Sequence, residues 1–232
     1  SKNAHIITSS HLEEDGKDIR IGTTKRGNGP AYRDKYARVG LRAENTLEFK
    51  PYLVDFYEEM YESDVEPIVL FEGAQGFGLD IDHGDYPYVT SSHVNVAGSL
   101  LNGIPHTAVR KVYGVIKSYT TYVGAKQFEP KEQIFEKIRD IGKEYGATTG
   151  RPRQCSWNSM KLLKKATLIN GVTYLIVNKC DILQQLQTWK LYDMNNQLIT
   201  FSREHQFKEH IEYYAKQWGI QQVIFSYSPY QI

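Results

Sequence analysis

The chain has 232 residues, with 28 Lys and Arg against 27 Asp and Glu, a formal net charge of +1, and 41% hydrophobic residues. This balance excludes a general nucleic-acid or membrane-surface binder, which needs an excess of cations, and the length suffices for a core without disulfide or metal staples. Its apolar runs fall far short of the ~18 residues of a membrane span, no secretory signal is recognisable, and Cys155 and Cys180 read as reduced thiols of a cytoplasmic protein.

The first informative segment is Gly22-Thr23-Thr24-Lys25-Arg26-Gly27-Asn28-Gly29-Pro30-Ala31-Tyr32, where hydroxyls, cations and glycines precede an expected helix. Such a loop can present backbone amides and cations to an anion, or simply be a solvated basic loop. Apolar residues recurring at three and four predict a helix over residues 47–61, and 67–71 reads as a buried strand. Glu72-Gly73-Ala74-Gln75-Gly76-Phe77-Gly78 follows, either a tight turn or a loop whose glycines admit a ligand beside the donor and acceptor of Gln75.

Further along, 111–116, 172–177 and 223–225 read as strands, and 131–145, 158–169 and 203–218 as amphipathic helices closed by Gly146, Gly171 and Gly219. This alternation predicts an α/β fold with a mainly parallel sheet flanked by helices, in which ligands bind at the carboxyl ends of the strands. Gly146-Ala147-Thr148-Thr149-Gly150-Arg151-Pro152-Arg153 offers hydroxyls and two Arg forks for carboxylate or phosphate. Asn178-Lys179-Cys180-Asp181 closes the 172–177 strand; the choice is between a helix cap and a guanine-recognition motif, whose acid accepts from the base's N–H groups. No metal-ligand spacing links the seven histidines, so no metal site is expected within these residues, and neither a nucleophile elbow nor a complete phosphate-binding Gly-x-x-x-x-Gly-Lys-Ser/Thr is present.

Gly22 to Tyr32, Phe71-Glu72-Gly73-Ala74-Gln75-Gly76, Asp80-Ile81-Asp82-His83-Gly84, Tyr86-Pro87-Tyr88-Val89-Thr90-Ser91-Ser92 and Gly146 to Arg153, in this order, resemble adenylosuccinate synthetase. The resemblance implies residues 1–232 of a single P-loop-NTPase-like domain, its central and C-terminal part. It further implies GTP-dependent, Mg²⁺-assisted joining of L-aspartate to IMP through a 6-phosphoryl intermediate. Carried over by motif, Thr24, Arg38, Gln75, Thr90 and Arg151 would hold the purine nucleotide, with Gln75 beside its 6-oxygen and Arg38 reaching a neighbouring subunit of a homodimer. Ala147, Thr148, Thr149, Gly150, Arg151, Pro152 and Arg153 would bind aspartate. Arg153, Lys179, Cys180, Asp181, Ser226, Tyr227 and Ser228 would bind GTP.

The family's phosphate loop, its catalytic Asp and His and most of its Mg²⁺ ligands are expected upstream of Ser1, so the 232 residues alone are expected to be an inactive fragment. Ser226-Tyr227-Ser228-Pro229 and Ser156-Trp157-Asn158-Ser159 depart from the family pattern. Three alternatives stay open at this level: a viral relative using dGMP with ATP or GTP, a GTP-binding module, and a noncatalytic dimerising remnant.

Overall fold

The structure, a computed structural model, describes residues 1–62, 64–146 and 150–230. Its contacts group into two compact units, Ser1–Ala108 and Val109–Ile232.

Among the described residues of the first unit are the short helices α1 (Ser9–Lys17), α2 (Asn28–Ala37), α3 (Phe56–Tyr61) and α4 (Ala97–Leu101), joined by turns. Polar contacts rather than apolar packing lock α1 to α2. His11 Nδ1 accepts the Thr8 N–H at 3.0 Å, which leaves Nε2 to face Asp34 at 3.1 Å, and the buried Asp15 carboxylate accepts the Gly27 N–H at 2.8 Å. The expected helix over 47–61 is divided into a 3₁₀ segment, Leu47–Tyr52, and α3. Pro51 has no N–H for a continuing α-helical ladder, and Asp55 starts the helix anew by accepting the Tyr57 N–H at 2.9 Å.

The strand expected at 67–71 does not form. No strand among the described residues pairs with it, and Ile68 and Leu70 lie open to solvent. Apolar, β-prone composition supplies propensity, but a strand exists only where a neighbouring edge completes its ladder.

The second unit carries the hydrophobic core. In chain order it comprises β1 (Tyr113–Lys117), β2 (Thr120–Tyr122), α5 (Ile134–Gly142), β3 (Gln154–Ser156), β4 (Asn158–Ser159), α6 (Met160–Asn170), β5 (Tyr174–Asn178), α7 (Cys180–Gln185), β6 (Trp189–Tyr192), β7 (Leu198–Phe201), α8 (Glu204–Gln217) and β8 (Gln222–Phe225). The expected parallel sheet is present in the order β1-β5-β8, with Val115 opposite Ile176 and Ile176 opposite Ile224. A second sheet, β4-β6-β7, and the antiparallel pair β2-β3 complete the strands. Phe135, Ile138, Trp157, Met160, Leu175, Val177, Leu183, Leu191, Phe207 and Ile211 are buried between helices and strands.

Gly171 ends α6 in the left-handed region (φ 60°), and Gly219 (φ 82°) follows α8, as the pattern predicts. Helix α5 ends earlier than expected, at Lys143 (φ 54°), because the chain turns to bury Glu144 before it reaches Gly146. The β6–β7 hairpin, absent from the sequence reading, closes through Asp193 N–H to Gln197 O at 2.9 Å, with Asn196 left-handed. No helix among the described residues is long and apolar enough to cross a membrane.

His210 packs between Phe201 and Tyr214, with ring centroids 5.2 and 5.1 Å away. Burial pushes its pKa below 6.5, against a weaker upward pull from Asp193. With the folded pKa below the unfolded one, the ring costs nothing while both states are neutral, and stability is lost as pH falls from 6.5 through the lowered value. His210→Phe should therefore flatten the urea-midpoint profile between about pH 5 and 7. An unchanged slope would show that His210 does not titrate with unfolding.

Candidate active site

In the first unit, the Gly22-to-Gly29 loop is tied down from beneath. Asp15 receives the Gly27 N–H, and Thr23 Oγ1 accepts the Lys25 N–H at 3.2 Å, which leaves Thr24 and Arg26 exposed before α2. Arg38, also exposed, caps the C-terminus of α2 in the left-handed conformation (φ 64°). Gln75 is left-handed too (φ 73°), and its Nε2 donates to Thr90 Oγ1 at 3.4 Å, so the fold brings these two predicted residues together. Side-chain-bearing residues occupy this region sparingly and are concentrated where geometry serves a site.

The loop between Gln75 and Thr90 is shaped by Asp80, which is fully buried. Its Oδ1 accepts the N–H groups of Asp82 and His83, both at 3.0 Å. Its Oδ2 accepts those of Val94 at 2.6 Å and Asn95 at 3.2 Å, together with the Asn95 amide at 2.9 Å. Burial alone would raise the Asp80 pKa, but these donors, Val94 first, outweigh it and hold the carboxyl below its ordinary range. Close packing also explains Gly84, where a Cβ would come within 2.5 Å of the carbonyl oxygens of Gly78 and Asp80.

Asp80, Asp82 and His93 place ligand-type atoms within 4.8 Å of one another. The five donors already engage both Asp80 oxygens, so the group acts as a loop clasp and does not fit an Mg²⁺ ion, which needs free oxygen ligands in octahedral array.

In the second unit, the loops after the parallel strands meet. Ser118, just past β1, donates its N–H to Asn178 O and its Oγ–H to Lys179 O, both at 2.8 Å. Lys179 is left-handed (φ 61°) and its Nζ reaches Gly142 O, at the end of α5, at 2.9 Å. Cys180 N–H donates to Ser226 O at 3.1 Å, joining the β5 loop to the one after β8, where Ser226 Oγ–H donates to Ser228 O at 2.9 Å. Asp181 lies in the first turn of α7. Tyr227 is hydrogen-bonded to Glu204, and its hydroxyl pKa is raised by burial and by that partner.

Residues 144–146 and 150–153 border this cluster. Ala147, Thr148 and Thr149 lie outside the described residues. Around them Gly150 N–H donates to Gly146 O, Gly146 N–H to Arg151 O, and Tyr145 bridges Pro152. Arg153 Nη1 donates to Glu144 at 2.7 Å, and the same carboxylate oxygen accepts Lys117 Nζ at 2.7 Å. Tyr119 Oη–H donates to the other oxygen at 2.6 Å. Burial would raise Glu144, but Lys117 and Tyr119 outweigh it and hold it below the ordinary carboxylate range, while burial draws Lys117 down. A Cβ on Gly142 would stand 2.5 Å from Tyr119 Oη, so a glycine is required there.

The structure thus joins Lys179, Cys180, Asp181, Ser226, Ser228 and Arg153 in one region at the carboxyl edge of the sheet, and groups Gln75 with Thr90 in the other unit. Burial pushes both Cys155 and Cys180 thiols up to about 12, so Cys180 serves as packing and backbone donor rather than nucleophile. Sequence reasoning missed Lys117, Tyr119 and Glu144. The strand-end rule points to Lys117 and Tyr119, which follow an apolar run; a lone acid after a helix carries no such signal.

The model of the family described as adenylosuccinate synthetase matches residues 1–67 and 44–228. The adenylosuccinate synthetase of Carboxydothermus hydrogenoformans is 39% identical over 255 residues, covering 86% of this chain and 60% of that protein. That of Syntrophomonas wolfei is 40% identical over 239 residues, covering 81% and 56%. The chain therefore spans about 60% of the length of these curated relatives.

Among solved structures, fully ligated adenylosuccinate synthetase from Plasmodium falciparum superposes with a TM-score of 0.76 at 27% identity, over 97% of this chain and 74% of that one. The succinoaminodeoxyadenylate synthetase of cyanophage S-2L, bound to dGMP and dATP, gives 0.71 at 19% identity over 98% and 65%, a likeness of fold alone. Ordered motifs, parallel sheet and matches along nearly the whole chain agree: the chain belongs to the adenylosuccinate synthetase family.

Proposed function

We propose that this chain contributes to GTP-dependent ligation of L-aspartate to IMP, forming adenylosuccinate. Phosphorylation turns the 6-oxygen of IMP, a poor leaving group, into phosphate, which the aspartate amine then displaces. Thr24, Arg38, Gln75, Thr90 and Arg151 are assigned to the purine nucleotide. The 147–153 loop is assigned to aspartate, and Arg153, Lys179, Cys180, Asp181 and Ser226 to Ser228 to GTP.

The observation that carries this reading is the junction in the second unit. Lys179 of the guanine-type tetrapeptide is anchored on Gly142, two residues before the Glu144 that holds Arg153. Base recognition and an anion-facing guanidinium are thereby built into one framework. The marked identity to bacterial adenylosuccinate synthetases favours IMP over dGMP as the nucleotide.

Two further assignments follow. Arg38 stands beside exposed Tyr36 and Val39, an apolar setting suited to a second copy of the chain, in support of a homodimer. Two buried thiols and no disulfide suit a cytoplasmic protein.

Calorimetric titration should show the chain binding GTP in preference to ATP. Asp181→Asn should weaken GTP by about 10- to 100-fold, the loss expected when charged hydrogen bonds to the base are removed. Equal binding of the two nucleotides, or an unchanged Asp181→Asn variant, would defeat the guanine assignment.

A further inference from the structure

We infer that Glu144 is a positioning residue that aims Arg153 at the anionic part of the ligand, with Lys117 and Tyr119 holding Glu144 in place. This rests on the reading above and extends it to residues to which no role had been assigned.

The Glu144 side chain is only 1% exposed, whereas Arg153 keeps 32% of its side chain open. The guanidinium is thus gripped at Nη1 by a buried carboxylate while the side chain stays partly open to solvent. Backbone contacts enforce the same geometry. Arg153 N–H donates to Glu144 O at 2.9 Å, and Arg139 Nε–H donates to Arg153 O at 2.8 Å. The Arg153 backbone is therefore held on both its N–H and its C=O, and part of the conformational freedom that an Arg fork loses on binding is already removed.

Stability alone does not account for the arrangement, because replacing a buried charge cluster by well-packed apolar residues is commonly neutral or stabilising. Its charge is also unbalanced: one carboxylate serves two cations, Lys117 and Arg153, leaving one positive charge in excess. A cluster that is one anion short suits a phosphate or carboxylate arriving from outside. Tyr119 occupies the carboxylate oxygen that faces away from the cations, so Glu144 cannot rotate to release Arg153 without breaking that bond.

The test compares the 232-residue chain with Glu144→Gln, Glu144→Asp and Tyr119→Phe, using GTP and guanosine as probes. Glu144→Gln should weaken GTP by about tenfold or more while leaving guanosine within about twofold, because only the phosphates meet Arg153; Glu144→Asp should recover part of the loss. A merely structural defect would weaken both probes together, and that result, or unchanged GTP binding, would overturn the inference.

A second readout needs no ligand. In nitrogen-15 spectra of the arginine side chains, Arg153, identified by Arg153→Lys, should show separate Nη–H signals that merge in Glu144→Gln. Signals that stay separate in the variant, or are already merged in the parent chain, would overturn the inference. If the parent chain binds neither probe but its separate signals merge in Glu144→Gln, the positioning stands and the GTP reading falls. Should Glu144→Gln not fold, Tyr119→Phe carries the test: a loss of GTP affinity that spares guanosine supports the inference, and unchanged affinity overturns it.

Discussion

Asp80→Asn should unravel the loop between Gln75 and Asn95 at a cost of about 2–6 kcal/mol, the penalty of about 1–3 kcal/mol for each of two buried donors left without an acceptor. The carboxylate accepts four backbone N–H groups and one side-chain amide, and it donates to none. An Asn at the same place keeps one acceptor oxygen but turns an NH₂ group toward donors, leaving at least two of them buried without a partner. Thr90 is held to Leu79 by a 2.8 Å backbone hydrogen bond inside the same loop, so its alignment with Gln75 should be lost as well.

Limited proteolysis checks this: cleavage should appear within residues 76–95 in the variant and be slow in the parent chain. Acid should mimic the substitution. Because the folded pKa of Asp80 lies below 3.8, its contribution is present above that value and disappears as pH falls through the lowered one. Equal cleavage rates for variant and parent would show that the clasp does not govern the loop.

Trp157→Ala is the second large effect expected, a loss of about 3–5 kcal/mol from the second unit. Trp157 is 1% exposed, packs on Phe135 with ring centroids 5.1 Å apart, and carries Lys190 Nζ 5.5 Å above its ring. It follows β3 and precedes β4, so a cavity there separates the sheets' supports as well as the rings. A domain's whole stability is usually about 5–15 kcal/mol, so the urea midpoint followed by far-ultraviolet circular dichroism should fall steeply. Trp157→Phe, which refills most of the volume, should cost far less. A midpoint for Trp157→Ala within the error of the parent would refute the placement of Trp157 in the core.

Legibility from the amino-acid order varied with the range of the interactions involved. Strands β1, β5 and β8 are readable because each is a short, β-prone apolar run that pairs in one parallel sheet, although Tyr113 and Val115 leave one face of β1 exposed, and α6 and α8 because their apolar faces repeat and glycines end them. Residues 67–71 have the same composition as those strands yet make no ladder among the described residues, because pairing depends on a distant edge that composition does not encode. The end of α5 was misplaced because the deciding event is the burial of Glu144 against Lys117 and Tyr119, 27 and 25 residues away. In the candidate site, Lys179 and Asp181 stand out by residue type and position after a strand, and Arg153 by its pairing with Arg151 across Pro152. Glu144 does not, since an acid beside a helix end ordinarily faces water.

The contrast between a unit clasped by buried Asp15 and Asp80 and a unit packed around Phe135, Trp157 and Phe207 has a calorimetric consequence. Exposing apolar surface raises heat capacity by about 0.45 cal/K/mol per Å², whereas exposing polar surface lowers it by about 0.26. The second unit therefore has a strongly curved dependence of stability on temperature, and the first a flatter one. Cooling weakens the apolar core while leaving the carboxylate clasps nearly untouched, so the balance of rigidity between the loop carrying Gln75 and the framework carrying Lys179 shifts with temperature.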